Sequence, residues 1–350
     1  MSTPRTRWWL AALYVGVCAA VITLLSAELV LVVRRAWQGR EARLHRAANV
    51  FEQGREVREG AGDTLWLHPG VAYRPGARLS LVVGGEPYEI VINSHGFRSP
   101  EIPVAKRAGV VRVACIGGST TVQGRTNAET YPAHLERRLR AAFPGREIEV
   151  LNLGINGVTS DHWLTRLDEL FRFEPDVVVQ YDFVNDLFFR HLPRYAAEHP
   201  RWALARRSLL VAGVEPVAPA DLEPYVRRTL RNVRELADAV EAHGARHVAG
   251  TFAGPDVARA SSSFRAYLDI NVESWGGRYG VRSYAAYGAL RQDFNARLRK
   301  AAAEGRLSLA DIDPALTDPA LYVDLCHMTG GGIEALADAV LPAVTDAIKR

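Results

Sequence analysis

The chain has few cysteines, three in 350 residues. Three thiols cannot form the disulfide framework that holds many small secreted domains together. A bond between Cys115 and Cys326 is one possibility, but we expect these two cysteines and Cys18 to remain free thiols. The fold must therefore depend on a buried core, and a composition of 48% hydrophobic and 23% charged residues is typical of a globular protein that has one.

The chain also lacks a lysine-rich tail and the common phosphate-binding motifs. Its net charge is +4, but the basic residues are mostly arginines scattered along the chain, which does not favour a nucleic-acid partner. Gly117 and Gly118 end an apolar run, yet neither GxxxxGK[ST] nor GxGxxG surrounds them. A phosphate-cradling loop is therefore a weak interpretation of that turn.

Long hydrophobic runs are rare, but residues 8–33 form one in which Glu28 is the only charge. About 20 apolar residues suffice to cross a bilayer, and Trp8 and Trp9 stand where interfacial aromatics are expected. A cleaved signal peptide is the alternative, although its apolar region should be shorter. The run predicts a single membrane helix, preceded by a short tail over 1–7, that contacts the lipid bilayer.

The arginines beside this helix make its orientation ambiguous. Two precede it, and five follow it between positions 34 and 46. By the positive-inside rule, the side that follows should be cytoplasmic. Residues 34–60 predict a juxtamembrane helical segment, which Gly54, Gly60 and Gly62 would end.

Residues 61–109 predict a small β addition. LSLVV and YEIVIN flank GGEP, which is a hairpin signal. NSHGFRSPEIP then forms an ordered loop before the next strand.

From residue 110 onward the pattern alternates between strands and helices. Such alternation predicts a three-layer α/β/α sandwich around a mostly parallel five-stranded sheet. The predicted strands are 110–116, 147–152, 176–182, 246–252 and 307–312. The predicted helices are 130–142, capped by the Thr130 hydroxyl, and 160–172, 222–243, 284–304 and 331–348.

An insertion at 187–221 breaks this rhythm with several aromatic residues and arginines. We interpret it as an extra helical layer over the sheet. Lining a substrate cleft and lying against a membrane are the alternatives.

The stretch VVRVACIGGSTTVQG, residues 110–124, carries the most specific chemistry. Its apolar, β-branched first half predicts a buried parallel strand, and Ser119 follows the two glycines that end it. Ligands of open α/β sheets bind at the carboxyl ends of strands. Ser119 is therefore placed as a nucleophile, with a plain turn as the structural alternative.

Two later strands end in groups that could stabilise an oxyanion. NLGINGVTS follows the second strand, where Gly154 and Gly157 leave backbone N–H groups accessible. YDFVNDL follows the third, and the amide of Asn185 is a neutral donor. The alternatives are a turn glycine and a helix-capping residue at Asn185 or Asp186.

Near the C-terminus, YVDLCHMTGGG places Asp324 three residues before His327. On a tight turn, the carboxylate can accept from Nδ1–H of the imidazole. That contact leaves Nε2 free to take the proton of Ser119. By contrast, Asp311, Asp313 and Asp318 lack a regular ligand spacing, so we interpret them as loop and cap residues.

GGSTT, NLGING, FVND and DLCH occur in the order of the four blocks of the SGNH/GDSL hydrolase superfamily, which residues 94–349 resemble. The NSHGFRS loop is similar to a segment of membrane-anchored bacterial members. The resemblance implies a flavodoxin-like sheet over 110–350, with Ser119 as nucleophile, His327 as base and Asp324 as its orienting group. It implies an oxyanion hole of Ser119, Gly154 and Asn185, and ester hydrolysis without a metal or cofactor.

The same resemblance implies a substrate class and a location. Small acyl esters or acylated glycans of the cell envelope would be the substrates, with the catalytic domain on the extracytoplasmic side of the membrane. Gly118 and Phe183 depart from the family pattern, which often has Asp and Gly at these positions. These departures leave a catalytically inactive glycan-binding or scaffold protein as the alternative.

Overall fold

The computed structural model describes residues 4–47, 66–68, 72–83, 86–200, 208–214 and 217–350. The expected end of the juxtamembrane helix near Gly54 to Gly62 lies outside these residues. The first element, α1 (Pro4–Ala47), is one continuous helix that includes part of the predicted tail and continues beyond the predicted membrane segment. Within it, Trp8–Arg40 is long and apolar enough to cross a membrane, a description that an N-terminal signal sequence also satisfies.

The β addition consists of two antiparallel pairs. Strands β1 (Trp66–His68) and β2 (Ala72–Tyr73) form the first pair. Strands β3 (Arg78–Val83) and β4 (Glu86–Val91) form the second, which is the hairpin that the sequence predicts.

A five-stranded parallel sheet forms the centre of the fold, as predicted. Its spatial order is β6-β5-β7-β8-β9, so the first strand of the domain lies inside the sheet. The strands are β5 (Val110–Gly117), β6 (Glu147–Asn152), β7 (Val177–Tyr181), β8 (Arg246–Gly250) and β9 (Leu309–Ala310). The last strand is shorter than predicted.

Helices cover both faces of this sheet. In chain order they are α2 (Ser119–Val122), α3 (Tyr131–Ala142), α4 (Leu167–Phe171), α5 (Val184–Asp186), α6 (Leu192–Glu198), α7 (Leu209–Val214), α8 (Glu223–Ala242), α9 (Ser262–Gly276), α10 (Tyr284–Ala303) and α11 (Gly330–Lys349). A π-helical turn, Leu187–His191, joins α5 to α6. Short 3₁₀ turns cover Asn127–Glu129, Trp163–Thr165, Pro219–Leu222, Gly277–Tyr279, Asp313–Ala315 and Pro319–Leu321.

Alternate residues of β5 supply two separate hydrophobic cores. Val113 and Cys115 face the core beneath α3 and α11. Ala114 and Ile116 face the opposite core, which also contains Trp163. Successive side chains of a strand point to opposite faces of the sheet. Because both faces of β5 are buried, the run is apolar throughout.

Two sequence predictions about helices need correction. The segment 160–172 is not one helix, because Arg166 has non-helical dihedral angles (φ −135°, ψ 33°) between the turn Trp163–Thr165 and α4. Next to this break, Trp163 is 1% exposed and its ring stacks on the ring of Phe97. Thr130 is the N-cap of α3 by position only, since its hydroxyl donates to the carbonyl of Asn127 and makes no capping bond.

One helix, α9, is absent from the sequence predictions. Ser261 caps it by accepting from the N–H of Phe264. Phe264, Leu268 and Val272 then recur at helical spacing and are buried. This cap and stripe were a sufficient signal for a helix.

The insertion at 187–221 contains helical segments, and its residues 201–207 and 215–216 lie outside the described part; its role as an extra layer over the sheet stays a prediction. Its helix α7 contacts α1. All three cysteines are free thiols, as predicted.

Candidate active site

The structure brings Ser119, His327 and Asp324 into one continuous hydrogen-bonded chain. Ser119 Oγ lies 2.8 Å from Nε2 of His327, and Nδ1 of the same ring lies 2.7 Å from Oδ2 of Asp324. With Nδ1–H donating to the carboxylate, Nε2 is the nitrogen that accepts from the serine hydroxyl. The arrangement can therefore remove a proton from Ser119 and hold it on the imidazole.

The turn Gly117–Ser119, called the nucleophile turn after the role predicted for Ser119, is possible because Gly117 has no side chain. Its φ of +148° disfavours other residues, and a Cβ there would lie 2.5 Å from the carbonyl oxygen of Tyr181. The strand β5 can therefore turn directly into α2, with Ser119 half-buried at its first position. This turn places the hydroxyl at the carboxyl edge of the sheet.

A tight turn holds the acid and the imidazole. The N–H of Val323 donates to the carbonyl of His327 over 2.9 Å and closes the turn. Oδ1 of Asp324 accepts from the N–H groups of Cys326 and His327, at 2.9 and 2.7 Å. Since Asp324 is 1% exposed, these bonds fix the carboxylate that orients the ring.

Gln123 joins the two halves of the site and was missed by sequence reasoning. Its Nε2 donates to the carbonyl of Thr120, 3.0 Å away in α2. Its Oε1 accepts from the N–H of Met328 at 2.7 Å. The available signal was a glutamine inside the small and apolar stretch STTVQG, because a polar side chain among buried residues needs a hydrogen-bond partner.

Asn185 lies beside the nucleophile turn, as its position after β7 predicts. Its Nδ2 donates to the carbonyl of Val158 over 2.7 Å. A Cβ built on Gly118 would lie only 2.5 Å from that nitrogen. The glycine at 118 therefore leaves the space that the amide occupies, and the second N–H of the amide remains as a donor.

Gly154 also approaches the nucleophile helix, but its N–H is engaged. A Cβ there would lie 2.8 Å from Thr121 Cβ, which explains why a glycine is needed. The N–H donates to Oδ1 of Asn152 at 3.1 Å, and Nδ2 of Asn152 donates to the carbonyl of Thr121 at 3.1 Å. A role for this N–H in an oxyanion hole therefore stays a prediction.

Phe183, the second departure from the family pattern, lies in the core. It is 1% exposed, and its ring centroid is 4.8 Å from that of Phe294 and 5.9 Å from that of Phe252. The larger side chain thus packs between α10 and the segment that follows β8.

Asp182 lies next to the nucleophile turn and accepts from the N–H of Gly118 and, at 3.2 Å, from Nε2 of Gln180. Burial, together with repulsion from Asp186, raises the pKa of Asp182 to about 7. A raised carboxyl pKa favours the folded state at low pH. This contribution to stability is lost as the pH rises through about 7.

Asp324, Cys326 and His327 form a group whose potential metal ligands lie within 4.8 Å of one another, the one such group in the described part of the chain. A metal ion bound through Nδ1 would replace that nitrogen's hydrogen bond to Asp324, and one bound through Nε2 would replace the contact with Ser119. The observed geometry fits a proton relay better than a metal centre.

The three other aspartates have structural contacts. Asp318 caps the turn Pro319–Leu321 by accepting from the N–H of Ala320, as predicted. Asp313 pairs with Arg291, and Asp311 pairs with Arg299.

The loop NSHGFRS holds the far end of the nucleophile helix through Arg98. This guanidinium is 1% exposed and donates to the carbonyls of Val122 and Gly124, at 2.6 and 3.0 Å. It also donates to the carbonyl of Glu89 in β4 at 3.2 Å. The β addition is therefore fastened to the segment that carries Ser119.

We predict that Arg98→Ala destabilises the protein, because buried carbonyl oxygens lose their partners. The expected loss is about 3 kcal/mol, seen as a decrease of roughly 5–10 °C in Tm by thermal unfolding. The matched control is Arg78→Ala, since Arg78 is an exposed arginine of the same addition, 4.0 Å from Glu89. Equal Tm values for the two variants would contradict the prediction.

Comparison with known proteins places this geometry in a family. Residues 115–334 match the model of the GDSL-like lipase/acylhydrolase family, which is well over half of the chain. The chain has no match among curated proteins.

Several solved structures are similar. A variant of Axe2, an acetyl xylan esterase from Geobacillus stearothermophilus, has 20% identity and a TM-score of 0.44, covering 67% of this chain and 94% of its own. The α/β hydrolase LAE5 from the metagenome of Lake Arreo, Spain, has 20% identity and a TM-score of 0.43, covering 67% and 95%. A GDSL-like lipase from Bacteroides thetaiotaomicron has 16% identity and a TM-score of 0.41, covering 67% and 88%.

The family match includes the nucleophile turn, the loops after β6 and β7, and the turn that carries the imidazole. On that basis, the chain belongs to the GDSL-like lipase/acylhydrolase family.

Proposed function

We propose that the chain is a membrane-tethered serine esterase that hydrolyses or transfers small acyl groups. The observation that carries this proposal is the unbroken chain of contacts from Ser119 through His327 to Asp324, at 2.8 and 2.7 Å. A serine hydroxyl is a weak nucleophile unless a base removes its proton, and this contact supplies the base.

In the proposed reaction, Ser119 Oγ attacks the ester carbonyl while Nε2 of His327 takes the hydroxyl proton. The tetrahedral intermediate collapses, the C–O bond to the alcohol breaks, and the imidazolium returns its proton to the leaving alcohol. Water, or an acceptor hydroxyl, then attacks the acyl-serine by the same route. Asp324 stays ionised and stabilises the imidazolium.

The negative charge on the carbonyl oxygen needs donors that are already in place. We infer that the second N–H of Asn185 and the backbone N–H of Ser119 are two of these donors. Gly154 would contribute a third if its N–H left Asn152.

We predict that Asn185→Ala lowers kcat for p-nitrophenyl acetate by about 10²- to 10³-fold, because one oxyanion donor is lost. KM should change little, since the donor acts mainly in the transition state. Asn156→Ala is the control, an exposed amide on the neighbouring loop. A comparable loss in both variants would argue against a role for Asn185 in the hole.

The membrane tether is supported by the exposure of α1. Before the residues that contact the rest of the chain, large apolar side chains on this helix have most of their surface accessible, among them Trp8 at 80%, Leu13 at 64% and Ile22 at 63%. A bilayer would remove this apolar surface from water. We further propose that the catalytic domain lies on the extracytoplasmic side, and a C-terminal reporter fusion that is active only on one side tests this.

The proposed substrates are small acyl esters, such as O-acetyl groups on cell-envelope glycans. The test is turnover of p-nitrophenyl acetate by the full chain, together with peptide mapping of a fluorophosphonate probe to Ser119. If the chain shows neither turnover nor labelling, the result would support the inactive glycan-binding alternative. Adding an acceptor sugar separates the two enzyme activities, because only a transferase yields acylated sugar.

A further inference from the structure

The last part of the candidate membrane helix α1 lies against the hydrolase domain along one stripe. Half-buried positions recur there at helical spacing, whereas the positions between them are exposed. The stripe consists of Ala27, Glu28, Leu31, Arg35, Gln38 and Gly39. A helix that served only as a flexible tether would not need such a face.

Arg35 makes the central polar contact of this stripe. Its Nε donates to Glu273 in α9, and its Nη2 donates to the carbonyl of Arg282 over 2.8 Å. Arg282 Nη1 donates to the other oxygen of Glu273, also at 2.8 Å. Two guanidinium groups therefore share one carboxylate, with the Arg35 side chain 22% exposed.

Two further contacts hold the same face. Glu28 accepts from the N–H groups of Leu209 and Leu210, at 2.7 and 3.0 Å, at the start of α7. A Cβ built on Gly39 would lie 3.7 Å from Cδ1 of Ile270 in α9, so the two helices approach closely at this position.

The helix α9 reaches from this stripe to the active-site turn. Ile270 and Glu273 face α1, whereas Asn271 points to the opposite side and is 6% exposed. Its Oδ1 accepts from the N–H of Leu325 at 3.4 Å. Leu325 directly follows Asp324 and lies two residues before His327, inside the turn that presents both groups.

We propose that α1 is part of the catalytic scaffold, and that its contact with α9 positions the Asp324–His327 turn through Asn271. Asn271 and Arg35 are then positioning residues, since neither is near the reacting atoms. This inference rests on the proposed esterase function of Ser119.

The test uses the full chain in lipid nanodiscs and p-nitrophenyl acetate, which is soluble and needs no membrane. We expect Arg35→Ala and Asn271→Ala each to lower kcat by about 10-fold or more, because small displacements of catalytic groups are costly. KM should stay within about twofold of the wild-type value. A general loss of folded protein would also leave KM unchanged while lowering the apparent kcat, so the concentration of folded sites must be known. The labelling stoichiometry with a fluorophosphonate therefore supplies the concentration of folded sites used to calculate kcat.

The control is Arg40→Ala, which removes the same charge from the same helix. Arg40 is exposed, and its described contact is with the ring of Trp37 in α1 itself. If the two positioning residues act through one route, the double variant should be no slower than Asn271→Ala alone.

Three results would overturn the inference: an Arg35→Ala variant with the kcat of the control, an unchanged kcat in Asn271→Ala, or fully additive losses in the double variant. If Asn271→Ala does not yield folded protein, Asn271→Ser replaces it with the same expectations. Failure of the proposed function is distinguishable, because the wild type itself would then show neither turnover nor labelling.

Discussion

Ser119→Ala is expected to lower kcat for p-nitrophenyl acetate by roughly 10⁴- to 10⁶-fold, because no acyl-serine intermediate can form. Residual turnover would come from binding and oxyanion stabilisation alone. The loss should reside in kcat, since the side chain lost contributes little to substrate binding. Initial rates at saturating substrate, with the full chain in detergent, measure it.

The control for this variant is Ser80→Ala, which removes an exposed hydroxyl from β3. It should retain wild-type turnover and fluorophosphonate labelling, while Ser119→Ala loses both. Equal rates for wild type and Ser119→Ala would end the nucleophile assignment and, with it, the proposed mechanism.

Asp324→Asn is expected to lower kcat by about 10⁴-fold, because an amide nitrogen facing Nδ1 would favour the wrong tautomer of His327. The imidazole would then present N–H to Ser119 and could not accept its proton. Backbone donors from Cys326 and His327 to Oδ1, at 2.9 and 2.7 Å, should keep the asparagine in place. Steady-state kinetics and a Tm close to that of the wild type would together identify a chemical rather than a structural loss.

Asp318→Asn is the matched control, because Asp318 is an exposed cap that accepts from the N–H of Ala320. Its kcat should remain within about twofold of the wild type, in line with the small effect of surface substitutions. If Asp324→Asn retained more than a tenth of wild-type kcat, orientation of His327 would have to come from another group.

Residue patterns alone were sufficient to predict the sheet and the residue types at the carboxyl ends of its strands. A buried strand must be apolar on both faces, so β5 and β7 are visible as short β-branched runs. Because parallel strands end at one edge, Ser119 and Asn185 could be placed near each other without coordinates. The turn of Asp324 and His327 is local, so its spacing could be interpreted in the same way.

The contacts that hold this site were decided by packing between distant segments. Ser119 and His327 are 208 positions apart, and Gln123 and Met328 are 205 apart. Sequence periodicity reports which face of an element is buried, but it does not report which atom lies opposite. Gly154 shows the limit, since the sequence predicted an accessible N–H there but could not predict the bond from that N–H to Asn152.

The contact between α1 and α9 shows the same difference between what the sequence determines and what the tertiary structure determines. Its hydrophobic run was evident from composition, because a membrane span depends on length and apolarity alone. The stripe that meets α9 could not be seen within that run, because Ala27 and Leu31 are as apolar as their exposed neighbours. Which side of a helix meets a partner depends on the shape and charge of that partner, here Ile270 and Glu273, and these are brought to α1 by the tertiary structure and not by the local sequence.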